Sequence, residues 1–301
     1  MVTELAAIEA AAARIAGRVR RTPLLWCEEF GVQVKAENLQ HTGSFKVRGV
    51  FNALLSRGGV PKGVATFSAG NAAAAVAYAA RELGIPAAVC MRPDAVTAKV
   101  DAVRRYGGEI VFTEDLLGTC HDLAAEREYE LLHPFDDPDL IAGHGTAGLE
   151  ILADCPAADL VIVPVGGGGL ISGVAAAVKA VRPAIRVVGV EPATSNAMSY
   201  ALRIGRPDPL PSRPVSMADG LTAPFAGTHT LAHVQALVDE VVEIDESAIE
   251  AAWWPMMRAT RLLLEPSAVV GLAALQTGLI TPAADTQVVL LASGGNAALP
   301  G

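Results

Sequence analysis

The chain has 301 residues, of which 51% are hydrophobic and 18% charged, so it is not disordered and has material for one large or two ordinary domains. Its 32 acidic residues outnumber 23 lysines and arginines, and the formal net charge of −9 with dispersed basic residues excludes a nucleic-acid surface and favours a small-molecule partner. The four cysteines form no CxxC pair, which excludes a disulfide framework and a cysteine zinc motif and favours a reducing, cytoplasmic location.

Short β-branched segments alternate with alanine-rich helical segments along almost the whole chain. This alternation predicts the α/β class, with mostly parallel strands covered by helices. The predicted strands are, in chain order, 32–35, 64–68, 87–91, 109–113, 160–165, 187–190, 241–244 and 288–291. Prolines concentrated in 203–224 predict an irregular connection there. The N-terminal residues lack the pattern of an export signal, so we expect none.

One uncharged stretch, 160–178, is long enough to cross a membrane. Pro164 and four consecutive glycines interrupt this stretch, and they divide it into a short strand and a helix of ordinary length. We therefore predict no transmembrane segment and no membrane partner.

The four glycines Gly166–Gly169 follow a predicted strand and precede an alanine-rich helix. Glycines let a ligand approach the backbone closely, and the start of a helix offers unpaired N–H groups to an anion. A tight turn is the simpler alternative, although it needs fewer glycines. Gly166, Gly168 and Glu191 loosely allow a dinucleotide site, but its third glycine position falls on Ile171. A cofactor with one terminal phosphate is equally compatible with the glycines.

Lys46 stands between Phe45 and Val47, shortly after the first predicted strand. A lysine buried among such apolar groups has a lowered pKa, and its neutral amine can form a Schiff base. Without further context a lysine next to an arginine is more often part of a solvated helix face. The rest of the sequence supplies that context.

Seven short motifs follow one another along the chain: Gly43–Gly49 (GSFKVRG), Ser68–Asn71 (SAGN), His133–Gly143 (HPFDDPDLIAG), Gly145–Thr146 (GT), Gly166–Leu170 (GGGGL), Glu265–Ser267 (EPS) and Ser293–Asn296 (SGGN). In this order they resemble the motifs of the pyridoxal-phosphate-dependent serine/threonine dehydratases, or threonine ammonia-lyases, of fold type II (tryptophan synthase beta-like). The resemblance covers nearly the whole chain. Because the chain ends soon after the last motif, we expect the short form, without a regulatory domain.

The resemblance implies an architecture, a cofactor and a set of site residues. It implies two open, twisted, mostly parallel sheets, with a small domain of residues 52–136 inserted in a large pyridoxal-phosphate-binding domain of residues 1–51 and 137–301, and a homodimer. Lys46 would carry pyridoxal 5′-phosphate as a Schiff base and act as the acid/base at the substrate α-carbon. The implied cofactor-binding residues are Phe45 at the ring, Asn71 at the ring hydroxyl, Ser293 at the pyridine nitrogen, and Gly166, Gly167, Gly168, Gly169 and Leu170 at the phosphate. The implied binders of the substrate carboxylate are Ser68, Ala69, Gly70, Asn71 and Ala72.

The activity implied is β-elimination from a small L-hydroxy amino acid, with release of ammonia. L-Threonine would give 2-oxobutanoate and L-serine would give pyruvate. Ser293 supports elimination, because a hydroxyl does not hold the pyridine nitrogen protonated as an aspartate would, and the ring is then a weaker electron sink.

The chain departs from the family pattern at several positions, which keeps alternatives open. Ala72 and Ala74 replace a usual histidine and glutamine, so a dehydratase for a bulkier β-hydroxy amino acid is one alternative, and a catalytically silent protein that binds the cofactor or an amino acid is another. Serine racemases also resemble the chain, but Ala69 stands at the position of their second acid/base. Their metal site would have Glu191 as a single carboxylate, and capping of the adjacent strand end is an equal alternative for this residue. His144 replaces a usual glutamine and is typical of a hydrogen-bonded structural residue.

Overall fold

The protein is described by a computed structural model over residues 2–68, 70–95 and 97–297. The helices are α1 (Leu5–Ile15), α2 (Lys46–Ser56), α3 (Asn71–Leu83), α4 (Thr97–Arg105), α5 (Leu116–Arg127), α6 (Pro138–Asp154), α7 (Gly169–Val181), α8 (Ala197–Ile204), α9 (Thr228–Leu237), α10 (Glu246–Thr260) and α11 (Val270–Gln276). The strands are β1 (Leu24–Cys27), β2 (Val32–Ala36), β3 (Val64–Phe67), β4 (Ala87–Met91), β5 (Glu109–Phe112), β6 (Glu130–Leu131), β7 (Leu160–Pro164), β8 (Arg186–Pro192), β9 (Glu240–Ile244) and β10 (Val288–Ala292).

The strands form two sheets, which confirms the predicted α/β class. The larger sheet has the order β1-β2-β10-β7-β8-β9 and is parallel except for the β1–β2 pair. The smaller sheet has the order β5-β4-β3-β6 and is parallel throughout. All eight predicted strands are present, with ends shifted by at most two residues. The sequence analysis missed β1 and β6, because β6 has only two residues and β1 is a short edge strand beside a proline.

The central strands of the larger sheet explain why their sequences are continuously apolar. Every residue of β7 and of β10 is buried, since helices cover both faces of the sheet. One face packs against α10 and α11, and the other against α7 and α9. Long apolar strands of this kind are therefore the signal of a sandwiched parallel sheet.

Helices α6 and α7 pack closely because small residues line their contact. A Cβ atom added at Gly145 would lie 2.9 Å from the carbonyl oxygen of Gly173, and one added at Gly148 would lie 2.9 Å from the Cβ of Ala177. This contact fixes the position of α7, whose first residues belong to the glycine loop.

The proline-rich connection and the uncharged stretch have the structures that we predicted. Residues 205–218 contain neither helix nor strand, and a single 3-10 turn follows at Asp219–Leu221. The uncharged stretch is divided between β7 and α7. No helix in the described ranges combines the length and apolar character that a membrane crossing needs. The boundaries of the inserted domain stay a prediction, and all four strands of the smaller sheet lie inside it.

Candidate active site

Three neighbouring strands, β2, β10 and β7, run parallel, so the loops that follow them meet at one edge of the larger sheet. These loops carry Lys46, Ser293 and the glycines. The backbone N–H of Phe45 donates to the carbonyl oxygen of Ser293 at 3.2 Å, which holds the first two loops together. The loop after β3 arrives from the smaller sheet, and the Nδ2 of Asn296 donates to Oδ1 of Asn71 at 2.8 Å. Motifs far apart in sequence therefore share one site.

Lys46 is the first residue of α2. Its Nζ donates to the carbonyl oxygen of Pro134 at 3.2 Å and lies 5.0 Å from the centre of the Phe45 ring. Burial of the amine lowers the pKa of Lys46 to about 8, while the negative charge of Glu265 partly opposes this shift. A useful fraction of the amine is therefore neutral and nucleophilic near neutral pH.

The glycine loop has no room for side chains. A Cβ added at Gly167 would collide with the Phe135 ring, and one added at Gly166 would lie 3.0 Å from the Cα of Leu221. Gly168 has φ +93°, and its added Cβ would lie 2.8 Å from the Cβ of Thr230. The first turn of α7 begins here, and its N–H groups have no intrahelical acceptor. The loop thus fits a single phosphate held by backbone donors.

A second layer of contacts supports the glycine loop from outside. The hydroxyl of Thr230 donates to the carbonyl oxygen of Gly167 at 2.7 Å. The carboxylate of Asp136 accepts the N–H groups of Thr228 and His229 at 2.9 Å and that of Thr230 at 3.1 Å, and so caps α9. The sequence analysis quoted the motif that contains Asp136 but assigned the residue no role.

Asn71 is held by a buried carboxylate. Its Nδ2 donates to Oε1 of Glu265 at 2.8 Å, and Glu265 is only 4% exposed. Burial and then the negative charge of Asp219 raise the pKa of Glu265 to about 7, against the hydrogen bond from Asn71. One amide hydrogen of Asn71 is left for a ligand. The sequence analysis quoted Glu265 in a motif without identifying it as a site residue.

The proposed substrate loop lies before α3. The Oγ of Ser68 accepts the N–H of Gly70 at 3.2 Å, and Gly70 is the N-cap of α3 without a side-chain bond. The two polar residues of the loop, Ser68 and Asn71, therefore do not cap this helix. Ala72 is buried in its first turn. Ala69 lies outside the described residues.

His144 differs from the prediction of a hydrogen-bonded histidine. The side chain is fully buried, and neither ring nitrogen has a hydrogen-bond partner in the part of the chain that the structure describes. The ring packs edge-on against Phe45, with 4.7 Å between the ring centres. Burial first, and then the positive charges of Lys46 and Arg48, hold the pKa of His144 well below its ordinary value. The prediction was wrong because the ring packs against Phe45 and the backbone at Gly49, where it meets no hydrogen-bonding group of the described residues.

His144 should therefore make the protein acid-sensitive. Its pKa is lower in the folded state than in the unfolded state, so below about pH 6.5 the unfolded chain binds more protons and stability falls as the pH falls. We expect His144→Leu to lessen this fall by up to about 1.4 kcal/mol per pH unit. Urea unfolding of the cofactor-free protein at about pH 7.5, 6.5 and 5.5 measures the free energy of unfolding and how it changes with pH. The control is His121→Leu at an exposed position, and an equal effect of both changes would contradict the assignment.

Glu191 caps a helix in this structure. Its carboxylate accepts the N–H of Met198 at 3.1 Å and that of Ser199 at 2.7 Å, at the start of α8. Burial of the side chain raises its pKa to about 7. Ala197, next to these donors, offers no ligand atom for a metal. Within the described ranges no group of three or more His, Cys, Asp or Glu side chains is arranged to hold a metal ion. With its oxygens engaged in this way, Glu191 is also not available to bind a ribose.

The site as a whole fits a cofactor with an aldehyde, an aromatic ring and one phosphate. Lys46 provides an amine with a lowered pKa, and Gly166–Gly169 form a backbone loop in which any added Cβ would collide with neighbouring protein atoms. The hydroxyl of Ser293, which is 3% exposed, lies at the end of β10 between these two groups in the sheet order. The dinucleotide alternative lacks its third glycine, since Ile171 stands at that position, and its acidic residue Glu191 is buried and bonded to the start of α8.

Comparison with known proteins also indicates a cofactor of this kind. A family model described as pyridoxal-phosphate dependent enzyme matches residues 15–294. An L-threonine ammonia-lyase of Geobacter sulfurreducens is 40% identical over 301 aligned residues, which cover 96% of this chain and 74% of that protein. A solved threonine deaminase from T.th. has a TM-score of 0.93 and 38% identity, covering 99% of this chain and all of the other. The maize serine racemase structure has a TM-score of 0.94 and 36% identity, and the match covers 99% of this chain and 95% of that one.

Proposed function

This chain belongs to the family of pyridoxal-phosphate dependent enzymes, and from that premise we propose that it converts L-threonine, and also L-serine, to the corresponding 2-oxo acid and ammonia. The observation that carries the proposal is the Lys46 amine, with its lowered pKa, in the same site as the glycine cradle. Its relatives include an L-threonine ammonia-lyase and a threonine deaminase. Serine as a second substrate is the finer part of the proposal, since it lacks only the methyl group of threonine.

Several residues would hold the cofactor. Gly166–Gly169 and the N–H of Leu170 would bind its phosphate, Phe45 would contact its ring, and Ser293 would give its pyridine nitrogen a neutral hydroxyl. Asn71 would hydrogen-bond the ring hydroxyl with its remaining amide hydrogen. When bound, pyridoxal phosphate supplies an aldehyde for amine exchange and a conjugated ring that stabilises negative charge at the substrate α-carbon.

Lys46 would move the proton at the α-carbon. Its amine is neutral in part near neutral pH, so it can accept that proton, and the surrounding apolar groups keep water from competing for it. The loop of Ser68 to Ala72 would bind the substrate carboxylate through the hydroxyl of Ser68 and the N–H groups at the start of α3. Loss of the proton at the α-carbon and of the hydroxyl group at the β-carbon as hydroxide yields water and an enamine, which hydrolyses to the 2-oxo acid and ammonia.

The visible spectrum and the products of the purified protein test this proposal. We expect a yellow protein that releases 2-oxobutanoate from L-threonine and pyruvate from L-serine. A colourless protein that pyridoxal phosphate does not reconstitute would contradict the proposal, and so would a yellow protein that releases no 2-oxo acid from either amino acid. The second outcome would favour a silent binding protein.

Racemisation is the second candidate, because a maize serine racemase has a similar structure. Alanine at position 69 cannot exchange a proton on the second face of the substrate, so we expect much less D-serine than pyruvate from L-serine. Chiral chromatography of the same reaction mixture measures both products, and an excess of D-serine would reverse this ranking.

We propose a homodimer, supported by four large apolar side chains that are exposed to solvent: Trp26, Leu39, Trp254 and Leu263. Their exposed fractions are 57%, 40%, 53% and 49%. A hydrogen bond of 3.0 Å from Asn38 to the carbonyl oxygen of Leu263 brings the turn after β2 next to the end of α10. Light scattering should give the mass of two 31.0 kDa chains, and Trp254→Asp should shift it towards one. Val215→Asp, at a side chain that is 72% exposed elsewhere, is the control.

We also propose a cytoplasmic location and the domain division at residues 52–136. The four cysteines are buried and free, as expected in a reducing compartment. The smaller sheet uses only strands between residues 64 and 131, which supports its assignment to an inserted unit.

A further inference from the structure

His133 belongs to a motif that the proposed function leaves without a role. Its ring Nδ1 accepts two backbone N–H groups, that of Asp136 at 2.9 Å and that of Phe135 at 3.3 Å. A nitrogen that accepts hydrogen bonds carries no proton, so the proton of the neutral ring is on Nε2. The backbone of this one loop therefore fixes the tautomer of His133.

The ring of His133 is enclosed by phenylalanines on its other sides. Phe135 lies 4.6 Å, Phe67 5.2 Å and Phe225 6.1 Å from it between ring centres, and all three meet it at steep angles. In the described part of the chain, no protein atom accepts a hydrogen bond from Nε2. His133 thus presents a fixed N–H donor without a partner.

The loop that carries this donor also contacts the reacting amine. The carbonyl oxygen of Pro134, the next residue, accepts the hydrogen bond from Lys46 at 3.2 Å. Burial lowers the pKa of His133, and the positive charge of Lys46 lowers it further, against the carboxylates of Asp136 and Asp137. The ring is therefore neutral at the pH at which the Lys46 amine acts.

His133, Phe67, Phe225 and Lys46 are each half-buried, so part of each side chain is accessible to a ligand. The backbone N–H groups of Phe135 and Asp136 occupy Nδ1 on one edge of the imidazole. The opposite edge, which carries Nε2, is the one left open to a ligand.

Given the proposed elimination, we propose that His133 is a positioning residue whose Nε2–H donates a hydrogen bond to the β-hydroxyl group of the substrate. The hydroxyl is the one group of the substrate that must leave from the β-carbon, and a donor at its oxygen both orients it and stabilises the negative charge that grows there. The aromatic rings around the imidazole lower the local dielectric, which strengthens the hydrogen bond.

His133 does not itself give up a proton in this proposal. Loss of the Nε2 proton would leave an imidazolate, because Nδ1 carries no proton and is turned towards two N–H donors. The residue is accordingly a hydrogen-bond donor and not a general acid.

Two substitutions separate this role from a purely structural one. His133→Asn keeps an acceptor near the place of Nδ1 and loses the Nε2 donor, whereas His133→Gln places an amide N–H near the place of Nε2. We expect the asparagine variant to lose about 10- to 100-fold in kcat/KM for L-threonine and L-serine, and the glutamine variant to retain most of it. If His133 only held its own loop, the asparagine variant would be the more active of the two, and the proposal would be overturned.

β-Chloro-L-alanine provides the second measurement, because chloride leaves without a hydrogen-bond donor. The asparagine variant should eliminate chloride at nearly the wild-type rate, and an equal loss with this compound would show general damage to the site and overturn the proposal. If the wild type eliminates from none of the three amino acids, the proposed function fails. If it eliminates and both variants match it, only the role of His133 fails.

The ring tautomer can be measured without any reaction. Nitrogen-15 chemical shifts of the imidazole in cofactor-free and cofactor-loaded protein, assigned with His133→Gln, should show a neutral ring with the proton on Nε2. A ring protonated on Nδ1 near neutral pH would overturn the proposal whatever the activities are.

Discussion

Replacing Lys46 with alanine should lower 2-oxo acid release from L-threonine by about a thousandfold or more, because the change removes both the amine that would bind the cofactor and the base at the α-carbon. The amine suits these tasks because burial lowers its pKa to about 8. Lys46→Arg should be as inactive as the alanine variant, since a guanidinium keeps its proton at every usable pH. Assays at saturating cofactor, with thermal unfolding as a check of the fold, measure the effect.

Lys62→Ala is the matched control for this experiment. Its side chain is 64% exposed and pairs with Glu128 on the surface, whereas the Lys46 amine donates to the carbonyl oxygen of Pro134. We expect wild-type activity from it. A Lys46→Ala protein with full activity would remove the lysine from the mechanism, while the fold would remain as described.

The second large effect concerns the glycine cradle, where Gly168→Ala should weaken binding of pyridoxal phosphate at least about tenfold, equivalent to about 1.4 kcal/mol. Alanine at φ +93° is strained, and its Cβ would lie 2.8 Å from the Cβ of Thr230. Together the strain and the collision should also lower the free energy of unfolding by about 1–3 kcal/mol. Fluorescence titration of the cofactor-free protein and urea unfolding measure the two quantities.

Gly205→Ala is a control that introduces backbone strain without changing the glycine loop. Gly205 ends α8 with φ +73°, and no atom lies within 4 Å of an added Cβ. Strain should lower the free energy of unfolding of the Gly205→Ala protein by about 1 kcal/mol, and this protein should bind the cofactor normally. Equal losses of affinity in both variants would mean that the glycine loop is not the phosphate site.

The sequence was sufficient for those parts of the molecule that depend on local pattern. The buried strands of both sheets are continuous apolar runs, and the glycine loop is recognisable where such a run ends. Lys46 stood out because its neighbours in sequence are apolar. Each of these signals lies within about ten residues, the span over which a periodicity is visible.

The partners of the site residues were beyond the reach of the sequence. The hydrogen bond between Asn71 and Glu265 joins residues 194 positions apart, so no local pattern predicts it. Asp136 caps a helix that begins 92 residues later. His144 was expected to be hydrogen-bonded, because nothing near it in sequence shows that it packs against Phe45 and the backbone at Gly49 without a hydrogen-bond partner. Such features depend on which elements pack together.

The position of β10 in the larger sheet has a consequence for synthesis on the ribosome. This strand, Val288–Ala292, lies between β2 and β7, so the sheet has a gap at its centre until synthesis has passed residue 292. A nascent chain must carry two apolar strand edges without their shared neighbour, a state that favours aggregation or chaperone binding. Ser293 follows β10 directly, so the site is also incomplete during translation until this strand has been made.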